Sequence, residues 1–258
     1  MGQDGITIAI PNWNHEAFLP RSIQSGLEAV ACCRDRGIEA EVLVIDDGSR
    51  DGSLGLLRTL EALYADRGLR VHRQEKNGGL AAARNAALLM ARQRHIVLMD
   101  ADNEIIPDNL HLFHQAIRET GAAGAYGNLL IRKAGHDVAW RICSNESIQA
   151  KIFDMNYVDA FAIFDRLQLL DVGGYSNALP AWEDWEMWLH LACSGRAIVF
   201  VPLAFGYYYE LPNSMIRSHD GAETHLARCQ RMFNQVGARA DAPLNACLMR
   251  YFPGVGLL

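Results

Sequence analysis

The sequence predicts an α/β fold, with a mostly parallel central sheet, helices on both faces and a smaller mixed region after it. Three observations lead there. Apolar, β-branched runs alternate four times with helical patterns over roughly the first hundred residues, with short connections. The second of these runs is continuously apolar, as a strand buried on both faces must be. After Pro107 the rhythm changes to helical and hairpin-like segments.

The elements follow in order. "ITIAIP" is a β-branched run closed by Pro11, and "AFLPRSIQSGLEAVACCRDRG" reads as a helix stopped at Gly37. "AEVLVIDDGS" is a strand that ends in Asp46 and Asp47. "SLGLLRTLEALYADRG" carries Leu56, Leu57, Leu60 and Leu63 at helical spacing. "LRVHRQ" is a short strand, "NGGLAAARNAALLMARQR" an alanine-rich helix opened by glycines, and "HIVLMD" the next strand. Beyond Pro107, "PDNLHLFHQAIRETG" is helical. "AAGAYGNLLIRKAGHDVAWRIC" reads as a hairpin turning at Ala134 to Asp137. "VDAFAIFDRLQLLDVGGYS" is a strand and then a helix, and "EDWEMWLHLACSG" is a helix. "AIVFVPLAFGYYY" is a strand interrupted at Pro202, and "AETHLARCQRMFNQVGARA" is a C-terminal helix.

The 258 residues suit a single domain, 1–258, with a nucleotide-type half over 1–103 and a second half over 104–258. Half of the residues are hydrophobic, enough for a sizeable core. A net charge of −6 argues against nucleic acid as the main partner. The six cysteines show no CxxC or zinc spacing, and reduced thiols in a cytoplasmic protein are expected. No signal peptide is read at the N-terminus, and no apolar run reaches the roughly 20 residues of a transmembrane segment. Peripheral docking at a membrane surface stays open.

In a parallel sheet, residues just past the strands' C-terminal ends line the ligand crevice. Pro11, Asn12 and Trp13 end one strand, Asp46 and Asp47 another, and Asp100 and Asp102 a third. Asn77, Gly78 and Gly79 lead out of a fourth into a helix. Carboxylates gathered at one edge repel one another and cost desolvation energy. A hard cation, Mn²⁺ or Mg²⁺, relieves both costs by taking carboxylate and diphosphate oxygens. Taken alone, Asp100-Ala101-Asp102 is as often a capped turn as a metal site, and Asp46-Asp47-Gly48-Ser49 as often a plain turn. Together, at matching strand ends, they favour a ligand site. The Gly78-Gly79 helix start offers backbone N–H groups to an anion, whereas Ala81 to Ala87 reads as close helix–sheet packing. Neither a Walker loop nor a G-x-G-x-x-G fingerprint is present.

The segments "ITIAIPNWNHEAFLPRSIQS", "EVLVIDDGSRDGS", "EKNGGLAAARNAAL", "IVLMDADN" and "GGYSNALPAWEDWEMWLHLACSG", in this order, resemble family-2 glycosyltransferases of the GT-A fold. The resemblance runs from Ile6 to about Ser214. It implies an inverting, metal-dependent transferase that uses a nucleotide-diphosphate sugar, a UDP-sugar by preference, and works on a glycan or lipid-linked acceptor. Cell-envelope or polysaccharide synthesis, in the cytoplasm or at the inner face of the membrane, is implied with it.

By position, Pro11, Asn12 and Trp13 fall where the family holds the base, with Trp13 stacking on it and Glu16 adding a polar contact. Asp46 matches the Asp that bonds the base. Asn77, Gly79 and Arg84 approach the nucleotide. Asp100 and Ala101 begin the D-x-D beside the ribose, and Asp102 ends it as the metal ligand. Asp184 matches the catalytic base, with Glu183 and Trp182 toward the acceptor. Trp188 reads as core. One departure stands out: where relatives carry Tyr-Arg-x-His, this chain has Tyr209 for the Arg and Leu211 for the His, with Arg217 and His219 further on. That leaves a second reading, a nucleotide-sugar-binding module with little or no transfer. A nucleotidyltransferase is a third, and it lacks a basic Gly-rich loop after the first strand.

Overall fold

The computed structural model describes residues 3–133, 140–142, 152, 156, 158–176 and 182–210. The predicted C-terminal helix, the hairpin turn at Ala134 to Asp137, Leu211, Arg217 and His219 lie outside them.

The predicted βα alternation is present. Strand β1 (Gln3–Asn12) leads to α1 (Leu19–Arg34), β2 (Glu39–Asp46) to α2 (Ser53–Tyr64), and β3 (Leu69–Arg73) to α3 (Leu80–Met90), which returns to β4 (Gln93–Leu98). The strands pair in parallel in the spatial order β3-β2-β1-β4. The second half is mixed. It holds β5 (Glu104–Ile105), α4 (Leu110–Thr120), β6 (Gly124–Lys133), β7 (Trp140–Ile142), β8 (Ile163–Asp165), α5 (Arg166–Asp171), α6 (Glu183–Cys193) and β9 (Ile198–Glu210). The sheet continues as β4-β8-β6-β9-β5, with β7 paired to β6. Both β4–β8 and β8–β6 are antiparallel.

Side chains alternate across the strands with a period of two, so each face of the sheet has its own core. Ile6, Ile8, Ile10, Val42, Val44 and Val97 pack with Ile23 and Leu27 of α1, with Leu57 of α2 and with Phe113 of α4. Ala9, Leu43, Ile45, Ile96 and Leu98 pack on the other face against α3, α5 and α6. The alanines behave as the packing reading expected: Ala81, Ala83 and Ala87 are buried and let α3 lie close to β1 and β2. Trp188 is core, 1 % exposed, and so is Trp185. Burying a side chain of that size is worth about 1.5–3 kcal/mol.

Two features differ from the sequence reading. Pro202 does not interrupt β9, which runs on from Ile198 to Glu210. The pairing with β6 instead slips beside it, from Tyr126↔Phe200 to Asn128↔Ala204. A bulge of this kind is where a strand tolerates a residue with no N–H to donate. The second feature is β5, two residues long, too short for any periodicity to reveal.

Candidate active site

The parallel register sets Asn12 beside Asp46, because β1 and β2 end together. Asp46 is fully buried. Its carboxylate accepts from Asn12 Nδ2 at 3.0 Å and Ser49 N at 3.4 Å. Asn12 Nδ2 also reaches Ser49 Oγ at 3.1 Å, which in turn accepts from Asn14 N at 3.0 Å. Asn12 Oδ1 is buried and finds no donor among the described residues. Beside this network Trp13 is 48 % exposed. An indole left half in solvent at the end of a strand is a suitable floor for a planar ring. Glu16 points to the neighbouring turn instead, accepting from Gly52 N at 3.0 Å at the start of α2.

The Gly78-Gly79 cradle is already taken. Asp47 accepts from Gly78 N and Gly79 N, both at 2.8 Å, and from Gln74 Nε2 at 3.0 Å. Burial raises the pKa of Asp47, and the two N–H bonds oppose it. The anion that the helix N-terminus attracts is thus the chain's own carboxylate, not a ligand's. The loop geometry requires glycine at Gly79, whose φ is 88° and ψ 167°. Asn77 Oδ1 adds a bond from Gly79 N at 2.9 Å.

A second group lies past the end of β4 and at the start of α6. Arg84, on α3, is only 3 % exposed and grips two carboxylates: Asp100 Oδ1 at 3.1 Å and Glu183 Oε1 at 2.6 Å. Burial works against its charge, but Asp100 and Glu183 more than restore it. Its guanidinium also lies 5.4 Å from the Tyr175 ring centroid. Asp184, next to Glu183, accepts from Asn156 Nδ2 at 3.1 Å and from Trp185 N at 2.7 Å. Burial, then Glu183 and Asp159, push Asp184 up to about 7. Burial, then Asp100, push Asp102 up to about 7 and Asp159 up to about 6. Tyr208 is held protonated by burial and by the charges of Asp159, Asp100, Asp102 and Asp184.

Asp100, Asp102, Glu183 and Asp184, far apart in sequence, therefore share one electrostatic environment with Arg84. Ala101 between the two aspartates is buried and supports the turn. Arg21 holds the backbone of that turn, donating to the Asp102 carbonyl at 2.6 Å and pairing with Glu104 at 3.0 Å. Trp182 caps α6 in a left-handed conformation, φ 72° and ψ 19°, which is costly for a bulky residue. Its ring meets Trp185 edge-on at 5.7 Å.

Asp159 is the site residue that the sequence did not reveal. It lies just before β8. Because β8 runs antiparallel to β4, with Val97↔Ile163, the start of β8 reaches the same sheet edge as the end of β4. The signal was the direction of that strand, which no spacing encodes. Tyr209 is also fixed. Its ring lies 3.7 Å under the Arg21 guanidinium, its hydroxyl bonds Glu104, and its N–H donates to Asn103 Oδ1 at 3.1 Å.

The cluster fits a hard divalent cation by its donor chemistry: oxygen donors only, with protonation favoured because negative charge is crowded. Among the described residues no three of its carboxylates each place an oxygen within 4.8 Å of the others. A cation there would draw most of its ligands from a bound molecule and water.

The sequence model of Glycosyl transferase family 2 matches residues 7–166, well over half of the chain. The chain belongs to this family. A succinoglycan biosynthesis protein, ExoO, of Rhizobium meliloti is 31% identical over 124 residues, covering 48% of this chain and 33% of that protein. The chondroitin synthase of Escherichia coli is 25% identical over 241 residues, covering 91% of this chain and 33% of the synthase. The chain thus spans about a third of the length of these two relatives. Among solved structures, S. aureus TarS 1–349 in complex with UDP-GlcNAc superposes with a TM-score of 0.71 at 19% identity, covering 97% of this chain and 73% of that 1–349 chain. The mannosyltransferase PcManGT of Pyrobaculum calidifontis, in complex with GDP-Man and Mn²⁺, gives 0.64 at 18% identity, covering 97% of this chain and 82% of that one. The family-2 chain has the GT-A fold of these neighbours. None of its described helices is long and apolar enough to cross a membrane.

Proposed function

We propose that this family-2 chain is an inverting glycosyltransferase that moves a sugar from a nucleotide diphosphate to an acceptor hydroxyl, with UDP as the favoured nucleotide. In this reading residues 1–103 bind the nucleotide and 104–258 the acceptor, within one domain. The observation that carries the proposal is Arg84, which ties Asp100 of the D-x-D to Glu183 beside Asp184. That pair of contacts brings the proposed donor and acceptor motifs side by side.

Trp13 stacks on the base, and Asp46, held by Asn12, is the residue that bonds it, as the resemblance implies. Asp102 is the residue to hold Mn²⁺ or Mg²⁺. When bound, that ion neutralises charge developing on the departing diphosphate. Asp184 takes the acceptor's proton. Its raised pKa is that of a base poised near neutral pH, strong enough to accept a proton and free enough to be ionised. A single base acting opposite the leaving group inverts the anomeric centre. Trp182 offers an aromatic edge to an acceptor sugar. The named relatives, a succinoglycan biosynthesis protein and a chondroitin synthase, support a role in polysaccharide synthesis; in this reading the acceptor is a glycan or lipid-linked molecule met in the cytoplasm or at the inner face of the membrane.

The test is sugar transfer or donor hydrolysis across a panel of UDP-, GDP- and dTDP-sugars with Mn²⁺. Activity should vanish in Asp184→Asn while nucleotide binding persists. The second reading is a nucleotide-sugar-binding module, motivated by Leu211 where the resemblance leads one to expect a His. Nucleotide binding with no turnover of any donor would decide for the module.

A further inference from the structure

Three residues that the proposed reaction does not use meet at the other edge of the sheet, where β1 and β4 begin. His95 belongs to β4 and His114 to α4; both are buried. His114 Nε2 and His95 Nδ1 face each other at 3.1 Å. Asp4 Oδ1 lies 3.7 Å from the first nitrogen and 3.9 Å from the second. Asp4 sits in a β-bulge: between Gln3↔Gln93 and Ile6↔His95 the register advances by three on β1 and two on β4. Bulges re-aim side chains. Arg118 Nε holds the outer carboxylate oxygen, Asp4 Oδ2, at 3.2 Å and leaves Oδ1 for the imidazoles.

We propose that Asp4, His95 and His114 form a transition-metal site for an ion of the Zn²⁺ class, separate from the acidic cluster of the transfer site.

The distances are those of a tetrahedral site awaiting a small adjustment. Two donors about 2.0–2.1 Å from a tetrahedral zinc ion stand about 3.3 Å apart. The two nitrogens are already near that separation, and the carboxylate, on a side chain 53 % exposed, has to close by roughly half an ångström. Two imidazoles and one carboxylate are a donor set that suits zinc better than magnesium or calcium, which prefer oxygen alone. The rings are also in the right protonation state. Burial holds both neutral, and His95 is lowered to about 4 by burial and then by His114. Two neutral rings facing each other share a single N–H between their near nitrogens. An incoming ion takes both lone pairs, and the shared proton moves to the far nitrogen of its own ring, so no proton is lost from the pair. The Asp4 side chain, 53 % exposed, is the side from which an ion and a water ligand would enter. An ion there would pin β1, β4 and α4 together. The proposal does not depend on the transferase reading.

The experiment uses the tag-free, chelator-treated chain, with Asp102→Asn as the background so that the D-x-D cannot contribute. Co²⁺ serves as the spectroscopic probe and Zn²⁺ as the competitor. One equivalent of Co²⁺ should give the intense visible bands of tetrahedral coordination, Zn²⁺ should abolish them, and Zn²⁺ should raise Tm. Asp4→Asn should weaken binding by at least about tenfold, and His114→Gln should remove the bands. The proposal is overturned if no tetrahedral band forms, or if the band and the Tm rise persist in both variants. Should His114→Gln fail to fold by circular dichroism, the surface substitution Asp4→Asn decides alone.

Discussion

Replacing Arg84 with methionine tests the electrostatic account of the site. Both side chains are long and unbranched up to their ends, so the change removes the charge while keeping most of the packing. Arg84 is 3 % exposed and Glu183 12 %, so Glu183 would be left nearly buried without its cation. Asp100 is 34 % exposed and keeps part of its hydration, so its share is discounted. Breaking a buried pair from one side costs about 3–5 kcal/mol, and with that discount the loss should be about 3 kcal/mol at pH 8. Urea unfolding reads it as a fall in midpoint at unchanged slope. Arg84→Lys, which keeps the charge but cannot fork to both acids, should recover part of the loss. A second effect comes from Asp184. Arg84 lowers its pKa against burial, Glu183 and Asp159. Without the arginine the acid limb of transfer should move to higher pH. A loss under about 1 kcal/mol with an unmoved limb would refute the claim that Arg84 neutralises both acids.

Asp184→Asn should be more stable than the parent above neutral pH. The folded-state value near 7 lies above the ordinary 3.8, so the ionised carboxylate costs stability that grows from about pH 4 to 7; the difference between the two proteins should vanish below that window, as unfolding curves at several pH values would show. In the parent, transfer should fall as pH drops through about 7, because the base is then protonated. Trp13→Ala should raise the Kd for UDP by roughly tenfold, from the loss of about 1–2 kcal/mol of stacking, and leave Tm unchanged because the ring is half exposed; calorimetry measures the first and a thermal melt the second. Gly79→Ala should destabilise the chain by about 1 kcal/mol or more, since φ 88° with ψ 167° suits glycine alone, and a melt would register it.

The first hundred residues are legible because β1, β2 and β4 carry apolar stretches that end in proline, asparagine or acids, and a glycine pair opens the helix after β3. Those closures sit at the crevice edge of the sheet. Asp46, Asp100 and Asp102 could be placed from sequence for that reason. Asp159 could not: its "VDAFAIFD" stretch carries no spacing signal, and its place depends on β8 running against β4. The Gly78-Gly79 turn reads from sequence as an anion cradle, but sequence does not say whose anion fills it. Pro202 misled because a bulge absorbs in three dimensions what looks like a break in one. Arg84 was placed near the nucleotide by resemblance; its reach to Glu183 spans 99 positions of chain and becomes visible only in space.

The bond from Asp47 to the Gly78 and Gly79 amides bears on how tightly a nucleotide can be held. Fixing a backbone residue costs about 1–2 kcal/mol in entropy. Here that cost falls on folding, since the loops after β2 and before α3 are latched together by the Asp47 carboxylate. On the proposed function, a nucleotide would meet walls that are already set, and its contact energy would go into affinity rather than into ordering the loops.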